Sequence, residues 1–258
     1  MQKTLIAAAL AVALAVPAIT AHAEEAASPH TFSANVGLYS QYVFRGISQT
    51  NEDPAIQGGF DYEHASGFYI GTWASNISWL SDGGAYDSSS LEVDVYGGYR
   101  FNVTEDVGID VGLLTYIYPG DRAAGVTKAD TTEGYVAASW KWLSMKYSYS
   151  FGDTFGVDDA SGTWYLDLSA SFPLTEKLSL DLHYGKQEFS GRTNGVSNDS
   201  FASFDDWKIG VSYALPQDFT VGLFYTDTSM NSAQEAFYTI NGKFLGDGQT
   251  VVFVSKSF

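Results

Sequence analysis

The chain has 258 residues, with 30 acidic against 13 basic side chains, a formal net charge of −17 and no cysteine. That balance argues against nucleic-acid binding, and the absence of thiols excludes a disulfide scaffold and cysteine chemistry. Seventeen Phe, 17 Tyr and 6 Trp beside 26 Gly and only 6 Pro favour strands over helices.

Residues 1–23 read as a signal peptide. Lys3 supplies the positive start, "TLIAAALAVALAV" is an apolar core too short for a stable anchor, and Ala21 to Ala23 form a small-x-small cleavage site. The mature chain is expected to start near Glu24 and to be exported. No later segment approaches the 18 uninterrupted apolar residues of a membrane-spanning helix.

From residue 30 onwards the hydrophobic pattern has period two. Phe32, Ala34, Val36, Leu38, Ser40, Tyr42 and Phe44 alternate with Ser33, Asn35, Gly37, Tyr39, Gln41, Val43 and Arg45. Successive strand side chains point to opposite faces, so one face is apolar and the other polar. Residues 68–79 carry aromatics on both faces and are ambiguous. "LEVDVYGGYRF" sets Leu91, Val93 and Val95 against Glu92, Asp94 and Arg100, and residues 107–117 set Val107, Ile109 and Val111 against Gly108, Asp110 and Gly112. Residues 133–142 show the alternation weakly. The segments 145–151, 164–172, 178–185, 207–213 and 219–225 repeat it, and a last strand is expected at about 249–258.

The connections alternate as well. Short turns such as "EHASG", "NVTED", "PLTEK" and "ALPQD" take turns with long polar links at 46–55, 80–90, 119–132, 153–162, 188–203 and about 227–248. Short turns at one end and long loops at the other are the asymmetry of a transmembrane antiparallel β-barrel, here all-β with twelve strands. Fourteen is the alternative if "AFYTINGKF" adds a strand pair.

The competing fold is a soluble sandwich or lipocalin-like barrel with its apolar face inward. Three features weigh against it: aromatics near strand ends on the apolar face, a polar face rich in Gly, Ser and Tyr, and a chain ending on Phe258. An Arg facing lipid at the bilayer midplane costs about 2–4 kcal/mol. Arg45 is therefore expected inside, solvated, at the end of the first strand and near the outer mouth.

The stretches "SANVGLYSQYVFRGISQTNEDPAIQGGFDYEHASGFYIGTWASNIS", "LEVDVYGGY", "GLLTYIYPG", "EGYVAASWKW", "KYSYSFGD" and "VVFVSKSF" resemble the TorF family of porin-like outer-membrane proteins over nearly the whole mature chain. The resemblance implies an outer-membrane barrel and leaves the solute open, because fold does not fix function.

On the barrel reading, the pore-lining candidates are Arg45, Asp61, Glu63, Glu92, Asp94, Arg100, Asp110, Lys141, Lys146, Asp167, Asp181 and Lys208. Acid is in excess, which predicts a preference for cations or neutral polar solutes if a pore exists; mutual neutralisation across neighbouring strands is the plainer alternative. The third, fifth and sixth long loops are candidates for a constriction. Ser179, Asp181 and His183 share one strand face, but each step along a strand is about 6.6–6.8 Å, too far for a catalytic triad. No catalytic role, cofactor or metal site is expected. The expected partners are outer-membrane lipids and lipopolysaccharide, the barrel-assembly machinery through the strand ending at Phe258, and small hydrophilic solutes. A non-conducting barrel displaying its loops, or least of all a lipid-modifying enzyme, are the alternatives to a diffusion channel.

Overall fold

The computed structural model describes residues 28–258; the signal-peptide expectation for residues 1–23 falls outside them. Twelve antiparallel strands form one closed barrel. They are β1 (His30–Tyr39), β2 (Ala55–His64), β3 (Phe68–Asn76), β4 (Leu91–Asn102), β5 (Val107–Ile117), β6 (Thr131–Trp140), β7 (Leu143–Ser150), β8 (Trp164–Pro173), β9 (Leu178–Glu188), β10 (Phe204–Ala214), β11 (Phe219–Ser229) and β12 (Gln249–Ser257). Each pairs with its neighbour in the chain, and β12 returns to β1 in a register running from Asn35 opposite Ser257 to Tyr39 opposite Phe253. Phe258 completes the seam: its N–H donates to the Ala34 carbonyl at 2.9 Å, and the Ala34 N–H donates back at 3.3 Å. Closure leaves no unpaired sheet edge, which a backbone in hydrocarbon requires.

The barrel is apolar outside and polar inside. Phe32, Leu38, Ile56, Ile70, Met145, Ile209 and Val252 are exposed, whereas Glu92, Asp94, Gln187 and Asp206 are buried. Leu113 is 55% exposed while Glu133 is 1% exposed, the reverse of a water-soluble protein. An apolar exterior over pleated strands is the surface that acyl chains cover. The ambiguous stretch at 68–79 resolves in the same sense: Phe68 and Ile70 point out, and Trp73 and Ser75 are buried inside.

At one end the strands are joined by short turns at 65–67, 103–106, 141–142, 174–177 and 215–218; at the other lie six long loops. The last loop holds the segment "AFYTINGKF". There a helix (Ser232–Phe237), capped by Asn231 and Gln234, leads into a two-residue-armed hairpin, Thr239–Ile240 with Lys243–Phe244, that stays outside the barrel sheet. The strand count is therefore twelve, not fourteen.

The loops are packed rather than loose. Tyr42, Ile77, Leu80, Tyr86, Tyr118 and Ala129 join the first three loops in one apolar cluster with Trp73 and Tyr116 of the wall. Val157, Ala160, Phe189 and Ala202 join the fourth and fifth, and Ile47, Phe204 and Leu245 tie the first to the last.

Candidate functional site

The first loop does not rise away from the barrel. Strand β1 stops at Tyr39, and a small hairpin, Val43–Phe44 with Ile47–Ser48, carries the chain back across the lumen. Arg45 and Gly46 are its two-residue turn, with φ of 48° and 77°. Both residues being left-handed is the signature of a type I′ turn, whose twist matches the hairpin arms. An arginine tolerates that region at a cost of about 1–2 kcal/mol, so its side chain must return something. A Cβ on Gly46 would lie 2.7 Å from Thr228 Cγ2 and 2.8 Å from Asp206 Cβ, so the turn is pressed against β10 and β11.

Arg45 reaches the opposite wall. Its Nη2 donates to Glu133 Oε2 of β6 at 2.7 Å and its Nη1 to Gln187 Oε1 of β9 at 2.7 Å. Tyr165 of β8 lies under the guanidinium at 4.2 Å from its ring centroid, with Phe44 and Phe155 on other sides. The two charges of this ion pair are 7% and 1% exposed. A planar fork that makes several hydrogen bonds and stacks on aromatic faces at once is a task for arginine, not lysine. The expectation that Arg45 sits inside holds, but it ends no strand and is not solvated at the outer mouth; it is the buried tip of a plug. The hairpin is held from behind by Tyr42, whose hydroxyl donates to Glu92 Oε1 at 2.7 Å and whose ring meets Trp73 edge-on, and by the Ser48 N–H donating to the Leu245 carbonyl at 2.9 Å. The inward constriction thus comes from the first loop and not from the third, fifth or sixth.

The candidates separate into three groups. Near the turn end, Asp61 accepts from Tyr96 at 2.6 Å, and Asp110 is held by Arg100 at 3.1 Å and by the Tyr69 hydroxyl, which also meets Tyr135. Glu63, half exposed at the rim, lies 3.6 Å from Arg100. These side chains fill the lumen beside β2 to β6. Glu92 belongs to the packed layer behind Tyr42. The third group, Arg45, Asp94, Lys146, Asp167, Asp181 and Lys208, borders a cavity of about 540 Å³ that runs along the remaining walls below the hairpin.

Lys141 is a correction. It occupies the tight turn between β6 and β7 with φ of 55°, half exposed, its Nζ 3.8 Å from Asp106 and near the Trp140 ring. Carrying the weak alternation of 133–142 straight through placed it on the lumen face, but the strand ends at Trp140 and the turn swings Lys141 out of that register. Glu133, Gln187 and His183 also face the lumen and stand outside the candidate set. Glu133 and Gln187 fall on the polar face of their own alternations, and that parity is the signal that finds them.

Around His183 the wall carries a connected network. Its Nε2 lies 2.9 Å from Asp206 Oδ1 and 3.0 Å from the Tyr165 hydroxyl, and its Nδ1 lies 3.2 Å from Asp167 and 3.1 Å from Ser169. Asp181 instead accepts from Ser171 at 2.6 Å and Ser212 at 2.8 Å. Asp181 and His183 therefore have separate partners, and with Ser179 they form no triad. In contrast, the lumen faces of β11, β12 and β1 carry no charge: Thr220, Gly222, Phe224 and Thr226, then Gln249, Val251, Phe253 and Ser255, then Ser33, Asn35, Gly37 and Tyr39. Tyr39 and Phe253 stack there at 5.2 Å.

Residues 23–258 match the model of the family described as "Bacterial protein of unknown function (Gcw_chp)", and the chain belongs to that family. A search of curated proteins finds no match. Among solved structures the chain is similar to the KdgM porin, at 10% identity and a TM-score of 0.54, covering 88% of this chain and 99% of that one. It is also similar to the NanC porin, at 11% identity and a TM-score of 0.53, covering 88% and 98%. A third is the TodX monoaromatic hydrocarbon channel, at 10% identity and a TM-score of 0.53, covering 90% of each chain. At such identities the likeness is one of fold. The neighbours include a KdgM porin solved in complex with disordered oligogalacturonate as well as that hydrocarbon channel, so the fold alone names no solute.

Proposed function

We propose that this member of the Gcw_chp family is an outer-membrane channel for passive diffusion of small hydrophilic solutes, closed at its outer end by the first-loop hairpin. The long loops then face outward and the short turns face the periplasm, as in other barrels of this kind. The TorF-type porin resemblance of the sequence supports the same reading, as does the porin-like fold. The observation that carries it is the cavity of about 540 Å³, bordered by charged side chains, inside a barrel whose exterior is apolar. Passage requires the hairpin to withdraw, and its hold on the far wall rests on Arg45 against Glu133 and Gln187. Carboxylates outnumber cations along the lumen face, which supports a bias towards cations and neutral solutes in bulk conduction. On this reading outer-membrane lipid and lipopolysaccharide surround the barrel.

The test is conductance of the purified mature chain in planar bilayers, with solute uptake compared between a deletion strain and its parent. Discrete openings that lengthen in Arg45→Ala support the channel. A barrel that stays silent with the hairpin latch removed overturns it and favours a display role for the packed loops.

A further inference from the structure

Most charges in the lumen already have partners. Arg45 holds Glu133, His183 sits between Asp167 and Asp206, Asp181 takes two serine hydroxyls, and Arg100 holds Asp110. Three charged groups on the cavity wall do not follow this pattern. Asp94 on β4 is 5% exposed and its Oδ1 is buried with no hydrogen-bond partner among the described residues. Lys146 on β7 lies with its Nζ 4.2 Å from the Tyr135 ring centroid, and Lys208 on β10 with its Nζ 5.2 Å from that of Phe224; among the described residues neither has a carboxylate within 4.0 Å.

All three border the same cavity. A charge left without a partner in a confined space carries a desolvation penalty unless water or a solute meets it. Here both signs are left, on different walls of one chamber whose volume falls in the range of small-molecule sites. Trp73 stands directly across the strand pair from Asp94, so a cation brought to this carboxylate also meets an indole. The uncharged wall beside Phe224 and Phe253 offers apolar surface between the two charged regions.

We propose that the cavity is a binding site for small zwitterionic solutes, with Asp94 receiving the ammonium end and Lys146 and Lys208 the carboxylate end. A solute of this kind offers an opposite charge to each wall and brings no net charge into the lumen. An anion leaves Asp94 unmet, and a cation leaves both lysines unmet. The proposal deepens the channel reading by naming the class of solute, and it rests on that reading only for the idea that the solute passes through.

Binding is measured on the full mature chain in detergent by calorimetric titration and ligand-observed NMR. The probes are ω-amino acids of two to six carbons, with butylamine and butyrate as single-charge analogues. The best zwitterion is expected to bind at least about tenfold more tightly than either analogue, the scale on which one close charge pair contributes. Asp94→Asn should abolish its advantage over butyrate, and Lys146→Gln and Lys208→Gln should each reduce its advantage over butylamine. Lys141→Gln, in the rim turn, is the control. Heat-modifiable gel mobility confirms that each variant is a folded barrel. Equal binding of zwitterion and analogues, no binding at all, or folded Asp94→Asn and Lys146→Gln variants that bind the zwitterion unchanged would each overturn the site. Bilayer conductance on the same preparation keeps the two readings apart: zwitterion binding to a silent barrel preserves the site and sinks the channel, and conductance without binding does the opposite.

Discussion

The two ends of this barrel are made by the same strands with the same alternation, yet they handle polar groups differently. At the loop end the lumen is crowded and its charges are matched: Arg45 with Glu133, and Glu92 with the Tyr42 hydroxyl. Below it a cavity remains, and on its wall Lys146 and Lys208 have no carboxylate within 4.0 Å, with Asp94 at the boundary. The difference comes from what fills the space. A hairpin that excludes water must replace every hydrogen bond water would have made, whereas a cavity lets water or solute serve. Inside one lumen the plug is fully paired, whereas the cavity wall carries paired groups, such as His183 between Asp167 and Asp206, beside lysines that make no direct ion pair.

Removing Arg45 should disturb this contrast most. Arg45→Ala leaves Glu133 buried and uncompensated, and breaking one side of a buried ion pair costs about 3–5 kcal/mol. The hairpin should leave the lumen, and bilayer recordings should show larger and longer openings than the parent. If conductance and urea stability are both unchanged, the latch is not what holds the hairpin. Gly46→Val attacks the same tip from the other wall. It forces a β-branched residue to φ of 77° and drives a Cβ into Thr228 and Asp206, at a cost of about 1–3 kcal/mol. Its openings should lengthen in the same direction as those of Arg45→Ala, by less; unchanged recordings would mean that the tip does not need this fit.

The turn end should respond weakly. Arg100 is 38% exposed beside Asp110 and Glu63, and pairs of that exposure contribute about 0–1 kcal/mol. Arg100→Ala should leave open probability near that of the parent in bilayer recordings; openings as long as those of Arg45→Ala would erase the distinction between the ends. Lys141→Ala is the smallest perturbation. It lies in an exposed turn, and stability should stay within about 0.5 kcal/mol by urea titration with ion selectivity unchanged; a shifted reversal potential would return it to the lumen.

The legibility of the sequence divides along the same line. The strands, the closure and the orientation of each face were readable, because lipid outside and polar groups inside impose a strict period of two. Even the ambiguous stretch around Trp73 obeys it once its neighbours fix the parity. The hairpin was not readable. Its first arm, Val43–Phe44, comes so soon after β1 that the alternation runs unbroken to Arg45, and an Arg-Gly turn lacks the Asn-Gly or Asp-Gly pair that usually announces such a bend. Local pattern reports which face a side chain takes, not whether the strand bearing it belongs to the wall or crosses the lumen. Lys141 failed for the same reason at the other end, where a tight turn ends the strand while the residue pattern continues through it. Partners of the buried groups, such as Glu133 for Arg45, lie 88 residues apart in the chain, and no local rule brings them together.

The most direct measurement removes the hairpin itself. Replacing residues 43–48 with a short Gly-Ser link, in a barrel shown to be folded by gel mobility, should convert brief openings into a steady conductance that no longer depends on Glu133. A hairpin-less barrel that conducts no better than the intact chain would contradict the claim that this segment is what closes the lumen.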